Sequence, residues 1–149
     1  MWRLLWLPIT FGALAVSSTY VKLNVSPSVA YGFYRVHSVT TPVTVGTLVI
    51  VRMPVGLSVP LLKPVAAVAG EWVCREGEML VIHGENYGRI YEASDDRWLP
   101  SLCFQIPSDH VFLASHTPKS LDSRYYGPVA IDQITATATP LWTWKGSAL

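Results

Sequence analysis

Beyond about residue 20 the chain is broken by glycine or proline at intervals of roughly eight to twelve residues, and the runs between are rich in Val, Ile, Thr, Tyr and Trp. Such runs suit pleated, half-buried strands, and the Gly and Pro between them supply turns. The best strand candidates are 33–37, 47–53, 61–69, 71–74, 79–83, 110–115 and 131–144. No window of about twelve residues in this part carries a helical period, so the expected architecture is all-β and barrel-like. Residues 85–97 form the polar interval. There Gly84-Glu85-Asn86 predicts a turn and Ser94-Asp95-Asp96-Arg97 an exposed bend, within a hairpin or loop.

With 149 residues, half of them hydrophobic, the chain can build one ordinary core and is too short for two typical domains. Residues 4–16 are apolar, follow Arg3, and precede a first further charge at Lys22, which reads as an export or anchoring segment. The expected division is therefore 1–18 as N-terminal membrane anchor or signal segment and 19–149 as the catalytic domain. Ala13-Leu14-Ala15 offers a small-residue cleavage pattern, but a retained short or tilted anchor is the favoured expectation. A net charge of +1 provides no basic surface for nucleic acid. Cys74 and Cys103 are what an exported protein would use for one disulfide, the alternative being two buried thiols. No cysteine or histidine spacing suggests a metal site, and no cofactor is expected.

Three blocks carry the chemistry. Ser28-Val29-Ala30-Tyr31-Gly32-Phe33-Tyr34-Arg35 follows a turn spanning Asn24, Ser26 and Pro27. A lysine lies among apolar residues in Leu61-Leu62-Lys63-Pro64-Val65-Ala66-Ala67-Val68-Ala69-Gly70. The last block is Ser120-Leu121-Asp122-Ser123-Arg124-Tyr125-Tyr126-Gly127-Pro128. In this order, with Trp72-Val73-Cys74 and Leu99-Pro100-Ser101-Leu102-Cys103 between, they resemble the conjugative-transfer peptidases of the TraF family, serine-lysine peptidases of the signal peptidase type. The resemblance runs from about Asn24 to about Trp144; Ala30 stands where that family usually has proline, which bears on the rigidity of the turn.

The resemblance implies a signal-peptidase-like β-barrel catalytic domain with Ser28 as nucleophile and Lys63 as general base. A serine hydroxyl needs a base to take its proton, and a lysine can be that base only when neutral. At a reference pKa near 10.4, neutrality at pH 7 costs about 4 to 5 kcal/mol, most of which burial among apolar groups can remove. Leu61, Leu62, Val65 and Ala66 supply those surroundings; on composition alone, Lys63 reads equally as an edge-strand lysine with its head in water. The spacing to Gly32 selects Ser28 over Ser26. Ser26 is left as an oxyanion donor, a role for a side chain next to Pro27, which has no N–H.

Asp122 takes a supporting role by the same resemblance, with Ser120 as hydroxyl partner of the lysine. A carboxylate beside Lys63 would raise its pKa, so Asp122 is expected to act through Arg124, the two pointing the same way if their segment is extended. The alternative is a purely structural Asp–Arg pair. His37, His83, His110 and His116 read as surface or satisfied histidines, His116 lying nearest the last block. Trp2 and Trp6 suit the membrane interface of an anchor, and Trp142 and Trp144 a strand near the membrane.

The expected function is a serine endopeptidase held in the bacterial inner membrane, with its catalytic domain in the periplasm. Its partners would be the membrane, a protein substrate in the form of an exported precursor such as a conjugative pilin, and other pilus-assembly proteins. The family implies cleavage coupled to head-to-tail cyclisation. The alternatives are a general leader peptidase and a non-catalytic β-domain scaffold of a pilus or secretion apparatus.

Overall fold

The computed structural model describes residues 20–52, 59–91, 102–117 and 120–144. Its strands are β1 (Val21–Asn24), β2 (Tyr31–His37), β3 (Leu48–Val51), β4 (Leu61–Val68), β5 (Trp72–Glu76), β6 (Met79–Ile82), β7 (Glu85–Arg89), β8 (Cys103–Gln105) and β9 (His110–Leu113). A one-turn helix, α1 (Ser123–Tyr126), then precedes β10 (Val129–Ala130), and a 3-10 turn (Ile131–Gln133) precedes β11 (Ile134–Trp144). The proposed anchor with Trp2 and Trp6, the bend at 94–97 and the residues Leu99, Pro100 and Ser101 lie outside the described residues. Among the described residues no helix is long and apolar enough to cross a membrane.

The strands form two antiparallel sheets, as expected of an all-β chain. The larger has the order β1-β2-β11-β3-β4-β9-β10 and curls into a half-barrel; the smaller has the order β7-β6-β5-β8. A register shift in β4 between Val65 and Ala67 lets that strand serve two cores. Val65 joins Val43, Val49, Val51, Val111, Leu113, Val129 and Ile134. Ala66 and Ala67 instead join Val73, Leu80, Ile82, Ile106 and Phe112, the core shared with the smaller sheet. Lys63 is paired with the fully buried Val49 and stands two residues from Val65, so strand alternation turns its side chain inward.

Every strand candidate is present with shifted ends, and four strands were not anticipated. β7 is polar because it is a sheet edge, and β1, β8 and β10 are too short for alternation to show. The turn expected at Gly84-Glu85-Asn86 sits one residue earlier: His83 and Gly84 take positive φ of 54° and 77°, and Glu85 already begins β7. The expectation that 131–144 is one strand needs a smaller correction, since its first residues form the 3-10 turn. Gly32 is required by a close approach, because a Cβ there would lie 2.1 Å from the Trp142 carbonyl oxygen of the adjacent strand.

Cys74 and Cys103 face one another across β5 and β8 and are joined in a disulfide separated by 29 residues in sequence. β8 is three residues long and lies at a sheet edge, so the bond fastens a short strand that pairs on one side only. Closing a loop of this length is expected to contribute about 3 to 4 kcal/mol in the chain-entropy model. Reduction should therefore lower the melting temperature in a calorimetric scan. Two thiols that both alkylate under native, non-reducing conditions would contradict the pairing.

Candidate active site

The site is assembled from three places in the chain that only the sheet topology brings together. Ser28 lies in the loop between β1 and β2, Lys63 on β4, and Ser120, Asp122 and Arg124 on the segment leading into α1. β4 pairs with β9, and the Ala114 amide donates to the Pro64 carbonyl at 3.3 Å, so the chain leaving β9 runs beside Lys63. Thr117 on that chain donates its hydroxyl to the Pro27 carbonyl at 2.9 Å, tying it to the serine loop.

Lys63 Nζ donates to Ser28 Oγ at 2.5 Å and to Ser120 Oγ at 2.9 Å. The two hydroxyls lie 3.2 Å apart, closing a triangle. All three residues are buried, Lys63 being 3% exposed. Burial lowers the Lys63 pKa to about 8; nearby Asp122 acts in the opposite direction and Arg124 in the same one. Desolvation is the largest of these effects, followed by Asp122 and then Arg124.

Asp122 and Arg124 are fully interior, with a 2.7 Å contact between Nε and Oδ1 and a 3.1 Å contact between the terminal nitrogen and Oδ2. Asp122 Oδ2 also accepts the Ser115 amide at 3.2 Å. Arg124 donates to the carbonyl oxygens of Ser115 and Arg89. The condition of an extended segment is not met beyond Asp122 itself. Asp122 is instead the N-cap of α1, its Oδ1 accepting the Arg124 amide at 3.2 Å, and the helical turn brings the guanidinium back over the carboxylate. The physical reason is that Asp two residues before a buried backbone N–H competes effectively for it, which a periodicity argument does not register.

Ser26 Oγ lies 3.4 Å from Ser28 Oγ and 3.5 Å from the Ser28 amide nitrogen, on the exposed side of the pair. The histidines are engaged elsewhere: His37 with Thr139, His83 with Glu71, His110 with the Ser108 carbonyl, and His116 stacked on Tyr87 near Glu85. None is among the hydrogen-bond partners of Ser28 within the described residues. Two site residues went unassigned in the sequence. Asn24 is buried beneath the serine loop and Thr117 bridges to it; the short Asn-x-Ser-Pro-Ser spacing was the available signal for the first, and nothing local signalled the second.

A β half-barrel presenting a buried lysine against a serine hydroxyl defines a serine peptidase of the signal peptidase class. The sequence comparison agrees: residues 4–144 match the family described as signal peptidase, peptidase S26, and the chain belongs to that family. Among individual proteins it is 30% identical to the conjugal transfer protein TraF of Agrobacterium tumefaciens (strain 15955), over 89% of this chain and 87% of that protein. The probable conjugal transfer protein TraF of Sinorhizobium fredii is 30% identical over 83% of this chain and 77% of its own length. TraF of Agrobacterium fabrum is 29% identical, with 83% and 82% covered.

Proposed function

We propose that Ser28 and Lys63 form a nucleophile–base dyad that cleaves exported precursor proteins through an acyl-enzyme, and that its physiological substrate is a conjugative pilin. The observation that carries this reading is the Lys63–Ser28 contact made by a lysine whose two acceptors are hydroxyls. In the neutral lysine the roles in that contact reverse: Ser28 O–H donates to the Nζ lone pair, and Ser120 accepts an Nζ hydrogen that fixes the amine's direction. The Ser28 proton passes to Nζ as Oγ attacks the scissile carbonyl. The amide nitrogen then leaves with that proton, and the oxyanion formed in between lies toward the Ser28 amide and the Ser26 hydroxyl.

A membrane location is supported by the outer face of β1, β2 and β11. Leu23, Phe33 and Trp142 lie in register across these strands, with Leu23 54% and Trp142 71% exposed, and Trp144 packs edge-on to Phe33 at 6.1 Å. An exposed apolar row with tryptophans suits contact with a lipid surface. The disulfide supports an oxidising compartment such as the periplasm. The conjugation role rests on the names of the TraF relatives, conjugal transfer proteins, and the pilin substrate on what the resemblance of the three sequence blocks implies.

With a pKa of about 8, about one Lys63 in ten is neutral at pH 7. The rate of acylation should therefore rise with pH along a limb centred near 8 and level off above it. A limb near 6.5 that disappears when His116 is replaced, with Lys63 dispensable, would refute the dyad. Incubation with purified pilin precursor, followed by intact mass, tests the substrate. A cut linear product reports hydrolysis, and a product lighter by one water reports cyclisation by the substrate's own amine. No cut in the pilin alongside efficient cutting of a general exported precursor would make this a leader peptidase instead.

A further inference from the structure

We infer that Asn24 is a positioning residue for the reaction: its carboxamide sets the shape of the loop that carries both Ser26 and Ser28, and rate depends on it through those two serines. This rests on the reading of Ser28 as nucleophile. Asn24 is the last residue of β1, paired in register with Gly32 of β2, and its side chain turns back into the loop the two strands enclose. It is 7% exposed. Its Nδ2 donates to the carbonyl oxygens of Ser26 at 2.8 Å, Ala30 at 3.1 Å and Val29 at 3.2 Å, while its Oδ1 accepts the Ser26 amide at 3.2 Å.

Carbonyls in a loop of this kind have no strand ladder to supply their donors. One carboxamide satisfies three of them from inside, drawing the carbonyls inward. The serine hydroxyls are thereby left to face Lys63 and the incoming substrate. Only a side chain with a donor and an acceptor on adjacent atoms fits, which excludes aspartate, an acceptor alone when ionised, and any apolar residue. Tyr34 adds one external tie, its hydroxyl donating to the Ala30 carbonyl at 2.6 Å. The loop is otherwise held by Thr117 at Pro27. Ala30 replaces the proline usual in the resembling peptidases, so rigidity that a ring would confer here is supplied by hydrogen bonds instead.

The test measures acylation of Ser28 by the nitrophenyl ester of acetyl-alanine, with nitrophenolate release giving the rate and peptide mass locating the adduct. In this step the Ser28 Oγ–acyl bond forms, the acyl–nitrophenolate bond breaks, and the Ser28 proton goes to Lys63. Asn24→Asp, nearly unchanged in size, should fall about 10²-fold in kcat with KM changed less than about threefold, measured below its melting temperature. Ser26→Ala should fall by about 10² to 10³. Because both substitutions act on one loop, the double variant should lie within about tenfold of the worse single, far above the product of the two losses.

Asn24→Ser, which can reach only one of the carbonyls, serves where the aspartate variant does not fold. Retained kcat in a folded variant, or losses that multiply in the double variant and divide between kcat and KM, would overturn the inference. So would failure of both variants to fold, which would make Asn24 a structural residue. Absence of an adduct on Ser28 in the parent would instead remove the dyad itself, a different result from equal labelling of parent and variants.

Discussion

Ser28→Ala and Lys63→Met are each expected to abolish processing while leaving a folded domain, with losses of roughly 10⁴-fold or more for groups that act as a unit. The second substitution carries an additional signature. Lys63 is depressed from 10.5 to about 8, so between those values the unfolded chain binds the proton that the folded chain has released. Stability of the parent therefore rises with pH through that window, and the cost of burying the lysine is fully present below pH 8. That cost is on the order of 3 kcal/mol. Methionine fills a similar volume without a charge, so Lys63→Met should melt higher than the parent at pH 7, and this advantage should shrink as pH rises from about 8 to about 10.5. An inactive variant that is also less stable at pH 7 would show that the lysine is held for structure.

The other large effect is expected at the buried ion pair. Asp122→Ala leaves the Arg124 guanidinium inside the protein without its carboxylate, and removing one member of such a pair costs about 3 to 5 kcal/mol. It also frees the Ser115 amide and uncaps α1, so chemical denaturation should show a loss at the upper end of that range. Asp122→Asn keeps the cap acceptor and the size, and should retain measurable activity. The double replacement Asp122→Leu with Arg124→Met should be less destabilised than Asp122→Ala alone, because no unpaired charge remains. Parent-like stability and rate in Asp122→Asn would deprive the carboxylate of any role.

Strand composition and punctuation were enough to read an all-β chain, but the apolar neighbours of Lys63 did not by themselves separate an inward lysine from an edge-strand one, and the family resemblance decided it. Neither β7 nor β8 was legible. An edge strand such as Glu85–Arg89 is polar like a loop, and Cys103–Gln105 is held by its partner strand and a covalent bond more than by its own residues. The three blocks of the site were visible because each is local. Their meeting was not, since it depends on β4 pairing with β9, and on Thr117 reaching Pro27 across 90 residues of sequence. The α1 turn at Asp122 was not legible because four residues are too few for a helical period.

The place of β11 in the larger sheet governs when the candidate site can assemble. The last strand in sequence lies between β2 and β3, so the hairpin bearing Ser28 joins the sheet bearing Lys63 only through it. A chain emerging N-terminus first has its nucleophile and its base long before that strand arrives. Pairing of such high sequence separation forms late, after the loop-closure entropy has been met. The serine and the lysine are therefore brought together by the strand pairing that closes the longest stretch of sequence, and the site is complete only once β11 lies between β2 and β3.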